Sequence, residues 1–165
     1  MGFMGSGKTT VAQEVGRRLS YPVIDLDESI RSNVGRSAAE IIHQDGENSF
    51  RKIETQLLDK VLTENSSVVI AAGGGAWTIA ENRRLIAERK ARAIWLDAPF
   101  ELCWSRIEVK RETRPLAPCK QAAEKLYRER QPIYELANVR IPVAANDTTE
   151  EIAERIVDGL AKNLL

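Results

Sequence analysis

The sequence predicts an α/β protein built on a parallel β-sheet, and three observations support this class. Short apolar runs alternate with amphipathic segments along the 165 residues, as expected where a helix connects successive parallel strands. A glycine-rich segment, residues 2–7, leads directly into a helical pattern. Acidic and glycine residues stand where two apolar runs end. Since ligands bind at the carboxyl ends of parallel strands, these positions predict the functional site.

The first half of the chain alternates between helical and strand patterns. The predicted elements, in order, are a helix over 8–19, a strand in YPVIDLD (21–27), helical segments over about 28–64 that break near Gly35 and Gly46, and a strand in SSVVIAAGGG (66–75). Val11, Val15 and Leu19 share one face of the first helix, which predicts that this face is buried.

The second half continues the alternation. The predicted elements are a helix over about 78–89, a strand in RAIWLDAP (92–99), a helix from Phe100, a basic stretch that contains proline (109–120), a helix over about 121–137, a strand in VRIPVAA (139–145) and a last helix with Ile152, Ile156 and Leu160 inward. Pro142 cannot donate a ladder hydrogen bond, so its strand is predicted at an edge. Thr148 or Thr149 is the expected cap of the last helix.

Composition excludes several classes of function. Lysine plus arginine and aspartate plus glutamate both number 24, so no overall charge attracts nucleic acid or an anionic membrane. The chain has no apolar run of the length that a membrane span needs. Cys103 and Cys119 have no metal-binding or redox spacing, which favours two free thiols in a reducing compartment. We expect one cytoplasmic domain over 1–165, monomeric, without nucleic-acid or membrane partners.

The opening segment contains G-x-x-x-x-G-K-T, in Gly2, Gly7, Lys8 and Thr9. Glycines let backbone amides point at phosphate oxygens, and the following helix adds its positive end. Lys8 can reach the β- and γ-phosphates, and Thr9 can ligate Mg²⁺. A P-loop normally follows a β-strand, yet only Met1 precedes Gly2. The sequence therefore predicts that this strand lies upstream of Met1, in a central slot of the sheet.

Two carboxylates, Asp25 and Asp27, follow the first apolar run. Alternation along a strand would place both on one face. One could belong to the metal shell, while the other could orient an acceptor hydroxyl and take its proton. The alternative is an acidic strand end that caps the following helix.

Other candidates are weaker when taken singly. The glycines of GGGAW, Gly73 to Gly75, could bring bare backbone against a ligand or could form an ordinary turn. Arg51, Arg114 and Arg130 carry the guanidinium fork that suits carboxylate and phosphate. Each of them alone is more simply a solvated charge.

Taken together, the segments GFMGSGKTT, DLD, GRSAAEIIHQDGENSFRKIE, GGGAW, RPL and RQPIY resemble shikimate kinases along the whole chain. The resemblance implies a three-layer P-loop kinase fold with a central parallel sheet of about five strands, a helical substrate-binding region (about 28–60) and a lid (about 110–121). It also implies transfer of the ATP γ-phosphoryl group to the 3-hydroxyl of shikimate, with one Mg²⁺ per subunit.

The resemblance also implies a role for each candidate residue. Asp27, Lys8 and Arg114 would be catalytic; Asp27, Arg51, Gly73, Gly74, Gly75 and Arg130 would bind shikimate; Gly5, Ser6, Gly7, Lys8, Thr9, Thr10, Arg106 and Arg114 would bind ATP; Thr9 and Asp25 would hold the metal. The arginine that stacks on adenine is either Arg106 or Arg111. Ala117 stands where the family usually has a second leucine, and the segment from Arg114 to Arg130 is short for the family, which predicts a trimmed lid.

Two rival functions remain at this point. A related small-molecule kinase for gluconate or a nucleotide would keep Lys8 and Thr9, but it would not need Arg51 and Arg130 together with three glycines. A regulatory nucleotide-binding module without catalysis would be expected to lack Lys8 or Asp27.

Overall fold

The computed structural model describes residues 1–108 and 117–161, and it confirms the mixed α/β class. The helices are α1 (Lys8–Leu19), α2 (Leu26–Val34), α3 (Ala38–Asp45), α4 (Glu47–Glu64), α5 (Ala80–Glu88), α6 (Phe100–Glu108), α7 (Lys120–Tyr134) and α8 (Thr149–Ala161). The strands are β1 (Val23–Asp25), β2 (Val69–Ala71), β3 (Ile94–Asp97) and β4 (Val139–Pro142), and a 3₁₀ turn spans Ala76–Thr78. Within the described residues, no helix is both long and apolar enough to cross a membrane.

Local chemistry sets the helix boundaries. The Asp25 carboxylate accepts hydrogen bonds from the amides of Asp27 and Glu28, which ends β1 and starts α2. Ser37 and Glu40 form a capping box at α3, and Thr148 Oγ accepts the Glu151 amide at the start of α8. The predicted breaks at Gly35 and Gly46 are confirmed, and both glycines have positive φ. The predicted burial of Ile152 and Ile156 is also confirmed.

The strands form two parallel pairs. In β1–β2, Val23 pairs with Val69; in β3–β4, Ile94 pairs with Val139. The predicted sheet of about five strands is therefore not observed in the described part of the chain, where β2 and β3 are not hydrogen-bonded to each other. The extended runs predicted around β1 and β2 are also shorter than expected, because Asp25 caps a helix and the glycines after Ala72 form a turn.

A cavity of about 390 Å³ lies where a strand between β2 and β3 would run. Its lining is mostly apolar and includes Val11, Val15, Leu19, Val69, Ile70, Ile94, Leu96, Ile156 and Leu160. Among the described residues, Met1 is the one that enters this gap: its amino group donates to Ile94 O (2.7 Å), and its carbonyl accepts the Leu96 amide (2.9 Å). One residue thus pairs with β3 as a parallel strand would.

The carboxyl ends of β1 and β2 lie beside the P-loop, at one edge of the strands. Helices α1 and α8 pack together on one side of the strands, and α4 packs against α2, α3 and α5. The largest core cluster includes Phe3, Trp95, Tyr134 and Ile156. A separate cluster of Ile30, Ile41 and Phe50 holds α2, α3 and α4 together. This second cluster makes the α2–α4 region a packed unit beside the P-loop.

Candidate active site

Residues 2–7 form the predicted phosphate-binding loop, and its shape depends on glycine. Gly5 and Gly7 have φ of 80° and 92°, a region that other residues rarely adopt. A Cβ on Gly5 would also lie 2.5 Å from the carbonyl oxygen of Cys103. Gly7 is the N-cap of α1, so the amides of the loop lie next to the positive end of that helix. Lys8 Nζ donates to Phe3 O at 2.9 Å, across the loop.

Thr9 and Asp25 bring two oxygens together beside this loop. Thr9 Oγ1 donates to Asp25 Oδ2 at 2.7 Å, while Asp25 Oδ1 accepts the two amides that begin α2. The sequence left metal binding and helix capping as alternatives for this carboxylate, and the capping is observed on one oxygen. Mg²⁺ in kinases takes one or two protein oxygens together with phosphate and water, and this pair of oxygens fits that requirement.

Asp27 does not lie where the sequence analysis placed it. The prediction that Asp25 and Asp27 share one strand face is wrong, because β1 ends at Asp25 and Asp27 lies in the first turn of α2. The helix start nevertheless turns Asp27 toward the glycines. A Cβ on Gly73 would lie 3.5 Å from Asp27 Oδ1 and 3.1 Å from Glu54 Oε1.

The three glycines after β2 each face a different polar group. Gly73 faces Asp27 and Glu54, as just described. A Cβ on Gly74 would lie 2.8 Å from the Tyr134 hydroxyl oxygen and 3.4 Å from Arg130 Nη1. A Cβ on Gly75 would overlap the Arg51 guanidinium. The structure thus brings Asp27, Arg51 and Arg130 around the same three glycines, and these are residues that the resemblance assigns to one substrate.

Arg51 is held by two carboxylates of its own helix. Its Nη1 donates to Glu54 Oε2 at 2.7 Å, and its Nε and Nη2 donate to Glu47 Oε1 at 3.1 and 2.8 Å. Burial opposes the charge of Arg51, but the two glutamates outweigh it and raise the pKa of the guanidinium. Burial also raises the pKa of the Glu54 carboxyl, and Arg51 opposes that shift.

Arg130 is buried, with 7% of its surface exposed. Tyr134 follows it by four residues on α7, and its hydroxyl donates to Gly74 O at 2.8 Å. Burial raises the pKa of Tyr134 to about 12, although a hydrogen bond with Arg130 acts in the opposite direction. Trp77 Nε1 donates to Ile133 O at 2.9 Å. Two hydrogen bonds therefore fasten the glycine turn to α7.

A second pocket, of about 280 Å³, opens on the other side of the P-loop. Its lining is Ser6, Gly7, Thr10, Val11, Arg106, Asp147, Thr149 and Ile152. Arg106 is exposed and its Nη1 donates to Gly5 O at 3.1 Å, so the structure places this candidate at the loop. Arg111 and Arg114, together with most of the predicted lid, lie outside the described residues.

Three partners of the site were not predicted from the sequence, and these are Glu47, Glu54 and Tyr134. A usable signal was present, since Glu47 and Glu54 stand four residues before and three residues after Arg51, and Tyr134 stands four after Arg130. These spacings put side chains on one helix face. The predicted free thiols are confirmed, with Cys103 buried and Cys119 exposed.

Comparisons with known proteins agree on one family. A family model described as shikimate kinase matches residues 4–161. A shikimate kinase from Dictyoglomus turgidum is 35% identical over 96% of this chain and 95% of its own. One from Ruegeria pomeroyi is 34% identical over 98% of this chain and 83% of its own. A solved structure of the Acinetobacter baumannii shikimate kinase in complex with shikimate superposes with a TM-score of 0.89, at 31% identity over 99% of this chain and 92% of that one.

Proposed function

The chain belongs to the shikimate kinase family, and we propose from this membership how the observed site carries out the reaction. The enzyme is a small-molecule kinase that phosphorylates shikimate at the expense of ATP. The arrangement of Asp27, Arg51 and Arg130 around Gly73–Gly75 is the observation that carries the proposal. The acceptor is the 3-hydroxyl, as the resemblance implies. Monomeric state and a cytoplasmic location stay predictions.

Arg51 and Arg130 bind the carboxylate of shikimate. Both guanidinium groups lie against consecutive glycines, where no side chain separates a small substrate from the backbone. The two guanidinium groups at the glycine turn add to the positive charge that Lys8 supplies for the phosphates of ATP, so they favour an anionic second substrate. Helices α2 to α4, which include the predicted substrate-binding region of about residues 28–60, present Asp27 and Arg51 from one side, and α7 presents Arg130 from the other.

Asp27 orients the acceptor hydroxyl and takes its proton as the phosphoryl group is transferred. The group transferred comes from ATP, whose phosphates lie on the amides of Gly5, Ser6 and Gly7 and on Lys8 and Thr10. Lys8 moves from Phe3 O to the phosphates and neutralises the charge that spreads over the transferring group. Arg114 would add positive charge from the lid, and the base of ATP would stack on Arg106.

Thr9 and Asp25 would hold the Mg²⁺ that accompanies ATP. The donor set is two hard oxygens at 2.7 Å from each other, beside the loop that binds phosphate. When bound, the ion supplies charge neutralisation at the β- and γ-phosphates. The Thr9–Asp25 hydrogen bond keeps these oxygens in place at the start of α2.

Replacing Arg51 with lysine is expected to raise the KM for shikimate about ten- to hundredfold. The reason is that an ammonium group cannot form the bidentate contact, and a hydrogen bond to a charged group contributes about 1.5–3 kcal/mol. The KM for ATP should stay within about twofold. Steady-state kinetics with each substrate varied in turn measure both constants.

Arg84→Lys is the matched control for this variant. Arg84 also pairs with two glutamates of its own helix, Glu81 and Glu88, but it lies on α5 away from the glycines. Its kinetics should equal those of the parent protein. A rise in the ATP constant of Arg51→Lys, without a rise for shikimate, would show that Arg51 serves phosphate.

A further inference from the structure

The bidentate edge of Arg51 is already occupied by a carboxylate. Nε and Nη2 are the two nitrogens that bind a substrate carboxylate side by side, and both donate to Glu47 Oε1. Nη1 points the other way, to Glu54. Since Glu47 accepts from both nitrogens of this edge, a carboxylate that binds Arg51 through Nε and Nη2 must first replace Glu47 there.

The two glutamates differ in how easily their side chains can move away from Arg51. The Glu54 side chain is 0% exposed, whereas the Glu47 side chain is 45% exposed. Moving Glu54 away would leave a buried charge without its counter-ion, which is costly. Glu47 can instead turn into water. It is also the first residue of α4, where the helix amides stabilise a carboxylate whether or not it contacts Arg51.

We propose that Glu47 is an exchangeable counter-ion of Arg51, which holds the carboxylate-binding edge until the carboxylate of shikimate displaces it. Glu54 remains as the permanent partner. This inference rests on the proposed role of Arg51. It makes the affinity for shikimate the result of a competition between two carboxylates for one guanidinium edge, so weakening the internal competitor should strengthen substrate binding.

Glu47→Gln tests the competition directly, because glutamine keeps the size of the side chain and removes its charge. The KM and the Kd for shikimate are expected to fall about two- to tenfold, which corresponds to about 0.4–1.4 kcal/mol and is of the order expected for a partly exposed ion pair. The kcat and the KM for ATP should not change. The methyl ester of shikimate lacks the carboxylate charge, so its binding should not improve.

Glu47→Asp separates competition from the helix charge. Aspartate keeps the negative charge at the start of α4, but its shorter side chain cannot hold Arg51 in the same way, so shikimate should again bind more tightly. Glu124→Gln is the matched control, since Glu124 pairs with Arg128 at the same spacing of four residues and is 40% exposed. It should leave all constants unchanged.

Shikimate binding that is unchanged or weaker in both Glu47 variants would overturn the inference and make Glu47 a residue that positions Arg51. Binding of the methyl ester that improves as much as that of shikimate would also overturn it. Arg51→Lys is measured in parallel. If that change leaves the shikimate KM unaltered, Arg51 does not bind the carboxylate of shikimate. The proposed exchange between Glu47 and shikimate is then overturned as well. Thermal melts of all variants confirm that each protein is folded.

Discussion

Asparagine in place of Asp27 is expected to lower kcat for shikimate phosphorylation by about 10²–10⁴-fold, the usual effect of removing a general base. The change keeps the shape of the side chain and removes both the basic oxygen and the charge beside Gly73. ATP should bind as before, because the P-loop and Thr9 are untouched. Steady-state kinetics and nucleotide binding by calorimetry measure the two effects separately.

Glu28→Gln is the appropriate control for Asp27→Asn. It removes a charge one residue further along α2, where Glu28 pairs with Arg31 on the surface. Both changes affect the first turn of the helix, so a loss caused by weaker helix charge would appear in both variants. Near-normal turnover in Asp27→Asn, or an equal loss in Glu28→Gln, would remove the catalytic role.

Filling the cavity between β2 and β3 is the change expected to affect stability most. Four apolar β-branched residues placed directly before Met1 would continue its pairing with β3 and enter the apolar lining. Burial of four such side chains contributes about 6–12 kcal/mol, and ordering four residues costs about 4–8 kcal/mol. The midpoints of these two ranges differ by about 3 kcal/mol in favour of the folded state, which corresponds to an increase in Tm of about 6–12 °C for a domain of this size. Shikimate-dependent ADP production should rise as well, since the P-loop is then anchored.

A glycine-serine extension of the same length is the control for the apolar one. Burial lowers the pKa of the Met1 amino group from 8.0 to about 5, with Lys8 adding repulsion. In a chain expressed so that it begins at Met1, the unfolded amine binds a proton between these two pH values and the folded amine does not, so the stability of that chain should increase as the pH rises from 5 to 8. Both extensions replace the amine by an amide and should remove this dependence. Only the apolar extension should raise Tm, and equal melts of the two would show that the cavity does not accept a strand.

The sequence was sufficient for those parts of the site that rest on short-range chemistry. The P-loop could be predicted because Gly5 and Gly7 adopt backbone angles that few residues other than glycine allow. The helix breaks at Gly35 and Gly46 follow from the same property. Arg51 and Arg130 could be predicted only from the whole series of segments that resembles the family. Nothing in their local sequence distinguishes them from the other arginines, and it is the fold that places both beside the glycine turn.

Other features depend on contacts that a linear pattern does not specify. The alternation in VIDLD predicts a strand that includes Asp27, yet the Asp25 carboxylate accepts hydrogen bonds from two amides and α2 begins at Leu26. Capping competes with strand extension at such acidic ends. The predicted sheet of about five strands is not confirmed by the described residues, because pairing between β2 and β3 requires a strand in the gap between them, and within the described part of the chain this gap holds Met1. Tyr134 became part of the site through a hydrogen bond across 60 residues of sequence.

The most direct test of the central claim is the rate of ADP formation by the purified protein with Mg²⁺-ATP, measured with and without shikimate and with gluconate or a nucleoside monophosphate as alternative acceptors. ADP formation is expected to depend on shikimate and to be accompanied by a phosphate monoester on its 3-hydroxyl, identified by NMR. ADP formation that depends on another acceptor, or that shikimate does not stimulate, would contradict the account.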